Sequence, residues 1–285
     1  MSRKNPSVIL IGAGIMSATL AVLLRKLLPQ SSILILERLD TIAAESSDAL
    51  NNAGTGHSAF CELNYTPEKD GKIDIGKAKN IASSFEISKE FWTYLLDEKY
   101  IRKASSFINP VPHISFVWGD ENVAFLKKRY ETMNNHPLFD EMEYTEDWQE
   151  MVKWMPLVIQ GRDKSQKIAA TKMHYGTDVN FGALTRITLK EMERRKEVDV
   201  ELSKEVIDIE KQDYGTWKIR VKDLIHGEEE EFESDFVFVG AGGGALTLLD
   251  KSGIKEIEGY GGFPISGQWL ICKASSLAER HEAKV

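Results

Sequence analysis

Four residues near the start of the chain have the types and spacing to hold a dinucleotide. They are Gly12, Gly14 and Ser17, in the order G-x-G-x-x-S, and Glu37. In such a turn the first glycine permits a tight bend and the second lets a pyrophosphate approach the backbone. The third position must be small, so that helix and strand can pack closely. Ser17 is small, although Gly or Ala is the usual residue there. Pyrophosphate then rests on the helix N-terminus, where amide groups and the helix dipole favour an anion. An acid about twenty residues further on accepts hydrogen bonds from ribose hydroxyls, and Glu37 stands at that spacing.

These residues need a strand, a helix and a second strand to position them. Ser7 to Ile11 (SVILI) reads as a buried parallel strand, short and wholly apolar. Ala18 to Leu28 reads as a helix ending before Pro29, and Ser32 to Leu36 (SILIL) as a second strand that delivers Glu37. Further on, Gly76 to Tyr100 reads as a helix with Ile81, Phe85, Trp92 and Leu95 or Leu96 on one face. Asp120 is placed to cap a helix carrying Val123, Leu126, Tyr130 and Met133, and Asn180 to cap one through Arg195. A helix from about Thr145 to Trp154 stops at Pro156. From Val198 the pattern turns to strands, with a turn at Tyr214-Gly215. The acidic run Glu228 to Glu231 reads as an exposed strand or turn.

A second glycine run, Gly240-Ala-Gly242-Gly243-Gly244, follows the apolar SDFVFV. It is either a separate NAD site or the end of a strand returning to the first sheet. No second apolar strand ending in an acid follows it, which favours the return strand and a turn near the same cofactor. The interleaving of two α/β pieces with a long insertion points to one nucleotide-binding domain built from separate segments.

Between these pieces lies DALNNAGTGHSAFCELNYTP, Asp48 to Pro67. Its small polar residues suit either a linker or the wall of a cofactor pocket. His57, His113 and His174 lie in segments that can face a pocket, where a histidine can take a hydroxyl proton as the neighbouring C–H leaves as hydride. A structural or surface histidine is the plain alternative for each. Arg162 and Lys164 can hold a carboxylate, or simply sit in a solvated loop. No HExxH or paired Cys/His spacing supports a metal, and no G-x-S-x-G supports acyl transfer.

Composition narrows the class. A net charge of -8 argues against nucleic acid as the main partner. The two cysteines, Cys61 and Cys272, make no disulfide framework and suit a reducing cytosol. The uncharged run from Asn5 to Leu24 follows Arg3 and Lys4 as a signal peptide would, but Gly12 and Gly14 interrupt it.

Several blocks together resemble one family. VILIGAGIMSATLAVLL, ILERLDTIAAESSDALNNAGTGHSAFCELNYTP, FINPVPHISFVWG, KMHYGTDVNFGALTR and FVGAGGGALTLL are similar to FAD-dependent malate:quinone oxidoreductases. The likeness covers essentially the whole chain, and GAGIMSATL is how that family writes its turn. It implies an α/β fold: a Rossmann-like FAD-binding domain of the glutathione-reductase type with an inserted α+β substrate domain. It implies oxidation of (S)-malate to oxaloacetate, a step of the tricarboxylic acid cycle, with electrons passing through FAD to a membrane quinone. L-malate and the quinone are then the partners. The location is cytoplasmic, with peripheral contact on the inner membrane face.

On that resemblance Gly12, Gly14 and Ser17 surround the pyrophosphate and Glu37 binds the adenosine ribose. Asn52, Gly54, Thr55 and Gly56 approach the flavin, Gly240 and Gly242 pass close to it, and His57 is the leading base. The expected segments are 1–80 and 181–258 for the FAD domain, 81–180 for the inserted substrate domain, and 259–285 for the start of a further substrate segment. Family members are markedly longer, so the resemblance implies a chain truncated at its C-terminus, with the missing portion as a partner. The alternatives are a related FAD-dependent 2-hydroxy-acid or amino-acid dehydrogenase, and a catalytically incompetent fragment.

Overall fold

The computed structural model describes residues 5–263, 267–268 and 270–285. Arg3 and Lys4, and part of the segment expected over 259–285, lie outside the described residues. The chain forms two compact units. The first holds residues 1–53, 96–107 and 180–268, and the second holds 54–95, 108–179 and 269–285.

The first unit is built on a four-stranded parallel sheet in the order Asp199–Glu201, Ile33–Leu36, Val8–Ile11, Phe236–Val239. All four residues of Val8–Ile11 and of Ile33–Leu36 are buried, as expected of central parallel strands covered on both faces. The helix Ile15–Leu27 follows the first strand and buries Ser17, Ala18, Ala21 and Val22. It starts three residues earlier than its apolar pattern suggests, because Gly14 is already its N-cap.

The glycine run at 240 belongs to this same sheet. Its strand pairs in parallel with Val8–Ile11, register Val8 to Phe236 through Ile11 to Val239. A three-stranded antiparallel meander, Lys204–Lys211, Trp217–Asp223 and Glu229–Ser234, contributes Val206, Ile209, Ile219, Val221 and Phe232 to the core beside Ile9, Ile11, Leu34 and Leu36. The acidic run therefore lies largely in the last meander strand, where Phe232 and Ser234 are buried and Glu229 to Glu231 are exposed. Asn180 caps the helix Phe181–Arg194 as expected, its side chain accepting the Ala183 N–H at 2.8 Å.

The second unit carries a three-stranded antiparallel sheet, with His113–Trp118 and Glu143–Thr145 flanking Ile168–Met173. A short antiparallel pair joins Ile108–Pro110 to Thr177–Val179. The helix Asp120–Met133 has Gly119, not Asp120, as N-cap, and Asp120 sits in its first turn. Its buried face is Val123, Leu126, Arg129 and Met133. Arg129 takes the place expected for Tyr130, which is only partly buried against a neighbouring apolar cluster.

Residues expected to extend the first segment to 80 fall in the second unit from Gly54 onward. The physical reason is apolar burial: Ala59, Phe60, Ala78 and Ala82 share one core with Met133, Phe139, Met142 and Met173.

Candidate active site

In the first unit the glycine turn is defined by close backbone approach. Gly12 has φ +94°, and a Cβ there would lie 2.6 Å from the Gly240 carbonyl oxygen. A Cβ on Gly240 would lie 2.5 Å from Ser17 Oγ. The small third position of the fingerprint thus lets two parallel strand ends and one helix meet. Ser17 is fully buried and its Oγ has no hydrogen-bond partner among the described residues.

Gly14 opens the helix with no side-chain cap and no acid in the first turn, so the positive end of the helix dipole is not neutralised by the helix's own residues. A Cβ on Gly14 would meet only Ser47 Oγ, at 3.4 Å. Ser47 accepts the Ile15 N–H at 3.0 Å, a contact with no signature in the sequence. Glu37 accepts the Ala13 N–H at 2.7 Å through Oε2 and the Leu39 N–H at 2.9 Å through Oε1. An ionised carboxylate has about four acceptor positions, so both amides leave room for ribose hydroxyls.

Asn52 donates its side-chain amide to the carbonyls of Ser46 at 3.0 Å and Asp48 at 2.7 Å, folding the 46–52 loop on itself. Gly242, at φ +52°, would place a Cβ 3.4 Å from Ser46 Oγ. Arg186, also unremarked in the sequence, reaches Asp48 at 3.8 Å and the carbonyls of Ile42 and Ala43 at 3.5 and 3.4 Å. Gly12, Gly14, Ser17, Glu37, Asn52, Gly240 and Gly242 all belong to this one unit.

Gly54, Thr55, Gly56 and His57 belong to the second unit. A Cβ on Gly54 would lie 2.6 Å from the Val179 carbonyl oxygen, and one on Gly56 would lie 2.5 Å from both Phe85 Cζ and Thr177 Oγ1. Both glycines are therefore required by packing within that unit. Thr55 offers its carbonyl to Thr177 Oγ1 at 3.4 Å. His57 is exposed and has φ +51°, a left-handed conformation unusual for a side chain with a Cβ. Its Nδ1 lies 3.4 Å from Tyr65 Oη and 3.8 Å from Glu62 Oε1.

The other candidates resolve differently. His113 is fully buried, with Nε2 at 2.9 Å from the Thr177 carbonyl and 3.1 Å from its N–H. Burial holds its imidazole below the ordinary histidine range, so it is a neutral structural residue. His174 is exposed and paired with Glu143. Arg162 bonds the Val158 carbonyl and Gln166 Oε1, both at 2.9 Å, and lies over the Phe116 ring at 4.6 Å. It is occupied within its own unit rather than presented to a carboxylate, and Lys164 is exposed. No group of three or more His, Cys, Asp or Glu suited to a metal occurs among the described residues.

Sequence reasoning missed Arg129, which is fully buried. Its Nε donates to Thr66 Oγ1 at 2.9 Å and its Nη2 to the carbonyls of Phe60 at 3.0 Å and Ala59 at 3.3 Å. Burial pushes the guanidinium down to about 10, opposed by Cys61 and Glu62. The signal was available: Arg129 stands three residues from Leu126 and four from Met133, on the helix's apolar stripe.

A glycine turn between a buried strand and a helix with no acid in its first turn, with an acid at the next strand end, defines a dinucleotide-binding α/β protein. Solved structures carry the same fold. Glycine oxidase from Geobacillus kaustophilus superposes with a TM-score of 0.62 at 15% identity, over 87% of this chain and 58% of that one. The L-alpha-glycerophosphate oxidase from Mycoplasma pneumoniae, solved with FAD bound, gives 0.58 at 14% identity, over 83% and 53%.

Within that class the chain belongs to the malate:quinone oxidoreductase (Mqo) family, whose model matches residues 4–285. It is 52% identical over 284 residues to a "Probable malate:quinone oxidoreductase" of Flavobacterium johnsoniae, covering 99% of this chain and 57% of that protein. It is also 52% identical over 286 residues to a "Probable malate:quinone oxidoreductase 1" of Pseudomonas aeruginosa, covering 100% and 55%. The chain thus spans little more than half the length of these relatives.

Proposed function

We propose that this chain serves the FAD-dependent oxidation of (S)-malate to oxaloacetate, with electrons passing to a membrane quinone. The observation that carries the reading is the match of the whole chain at 52% identity to proteins named for that reaction. The first unit supports it independently, because its glycine turn suits a pyrophosphate: the helix carries no acid in its first turn, and only the small Ser47 hydroxyl lies within 4 Å of where a Gly14 Cβ would be.

Gly12, Gly14 and Ser17 would hold the pyrophosphate, and Glu37 the adenosine ribose. FAD when bound supplies the two-electron acceptor. The chain's own part is to orient the C2–H bond of malate and to take the hydroxyl proton, and His57 is the residue we assign to the proton. The product is then oxaloacetate, with one proton on the protein and a hydride passed to the acceptor.

With a membrane quinone as acceptor, we propose that the working protein acts at a membrane surface, on its cytoplasmic side, in the tricarboxylic acid cycle. No helix among the described residues is long and apolar enough to cross a membrane, so the contact we propose is peripheral. Malate-dependent reduction of a quinone-coupled dye, run beside a panel of other 2-hydroxy acids and amino acids, tests the assignment. Preference for (S)-malate supports it; preference for an amino acid or another hydroxy acid overturns it.

A further inference from the structure

Glu62 has no part in the function as derived, yet its carboxylate is buried in the second unit without a strong donor. Both oxygens are buried, and neither is hydrogen-bonded to a nitrogen or oxygen of the described residues; the donor beside them is the weak Cys61 thiol. A buried carboxylate is costly unless strong donors or a cation compensate it. The nearest cation-forming group in its contacts is the His57 ring, with Nδ1 3.8 Å from Glu62 Oε1. The loop between them is held from below. Arg129 grips the Ala59 and Phe60 carbonyls and Thr66 Oγ1, and its buried charge acts on Glu62. His57 and Ala59 both adopt left-handed backbone, at φ +51° and +60°, conformations that persist where surrounding structure enforces them.

We propose that Glu62 is the positioning residue for His57: its carboxylate receives the Nδ1–H, fixing the tautomer that leaves Nε2 as the proton acceptor. Which imidazole nitrogen carries the proton is set by the partner of the other. A carboxylate can only accept, so it selects Nδ1–H. Tyr65 Oη, 3.4 Å from the same nitrogen, is the competing partner. If it donated to Nδ1, the ring proton would sit on Nε2 and Glu62 would receive no hydrogen bond from the ring. At 3.8 Å the Glu62 contact is an ion-pair distance about 1 Å longer than a hydrogen bond, and in the proposed pair it closes to a hydrogen bond in the free chain. On the malate-oxidation reading, on which the identity of the proton donor rests, the step balances. The alcohol O–H breaks and its proton goes to Nε2. The C2 hydrogen leaves with its electron pair to the flavin acceptor, and C2–O becomes a carbonyl. The imidazolium so formed faces the Glu62 carboxylate.

The test needs neither flavin nor malate. Nitrogen NMR of histidine-labelled chain at alkaline pH, with His57 assigned through His57→Gln, reads the tautomer directly. The expected result is a ring proton on Nδ1 in the unaltered chain, its transfer to Nε2 in Glu62→Leu, and no change in Tyr65→Phe. A proton on Nε2 in the unaltered chain overturns the assignment, as does a tautomer that Glu62→Leu leaves alone. If Glu62→Leu fails to fold, the unaltered chain and Tyr65→Phe still decide, because a tautomer lost in Tyr65→Phe makes Tyr65 the holder and overturns the assignment. A chain that shows the tautomer switch but ignores malate upholds the His57–Glu62 pair and overturns only the substrate. A chain that oxidises malate with a tautomer indifferent to Glu62 does the reverse.

Discussion

Glu37 Oε2 accepts the backbone N–H of Ala13 at 2.7 Å. The acid at the end of the second strand thereby stitches that strand to the glycine turn while its other oxygen accepts the Leu39 N–H at 2.9 Å. The residue expected to bind ribose is also a structural tie, and the two roles separate by substitution. Glu37→Ala leaves two amide donors without their acceptor and should cost about 1–3 kcal/mol, read as a lowered thermal midpoint. Glu37→Gln keeps one acceptor oxygen and the side chain's shape. It sets an NH2 donor against one of the two backbone N–H groups, so it should fall between the unaltered chain and Glu37→Ala in stability, and it should weaken FAD retention, measured by flavin fluorescence titration, because a charge-assisted bond to ribose is roughly twice as strong as a neutral one.

The two thiols should differ sharply. Burial first, and then the neighbouring Glu62 carboxylate, push the Cys61 thiol up to about 12, whereas Cys272 is exposed. The thiolate is the reactive form. Titration with a disulfide reagent at neutral pH should therefore modify Cys272 promptly and Cys61 only after unfolding. Rapid loss of both thiols in the native chain would contradict this packing of the 57–66 loop.

Stability should fall with acid through His113. Burial favours its neutral form in the folded chain, so the unfolded chain binds the extra proton as pH drops below about 6.5. The contribution is constant above that pH and is lost as the pH falls from there through the lower folded value, with a slope bounded by about 1.4 kcal/mol per pH unit. Chemical denaturation across pH 5 to 8 should show this slope, and His113→Gln should flatten it.

Arg129→Met should be among the most destabilising single changes in the second unit. It removes the donors for Thr66 Oγ1 and the Ala59 and Phe60 carbonyls and strips the compensating charge from Glu62. Breaking such a buried network typically costs about 3–5 kcal/mol. Denaturant unfolding measures it, and a change under about 1 kcal/mol would show that the guanidinium is dispensable.

The first unit was largely legible because its signals are local. SVILI, SILIL and FVFV are short apolar runs, and strand, glycine turn and acid follow within one stretch of chain. The glycine run at 240 was assigned to a return strand by the half of the fingerprint it lacks, and its strand does lie beside Val8–Ile11. The 57–66 loop was less legible. Its importance was visible in composition, but the partners of His57 depend on a left-handed backbone that no residue type announces. Arg129 comes from a helix more than sixty positions away. The glycines at 54 and 56 carry a further lesson. Each would drive a Cβ into Val179, Phe85 or Thr177, so a valine there disrupts packing whether or not a flavin lies nearby. Loss of flavin from such variants does not by itself report contact.

Anaerobic addition of (S)-malate to the FAD-reconstituted chain, followed by flavin absorbance, tests the central claim most directly. The account predicts that the flavin bleaches with (S)-malate and is restored by a quinone. A flavin that dithionite reduces but (S)-malate does not, or a chain that takes up no flavin, would contradict it.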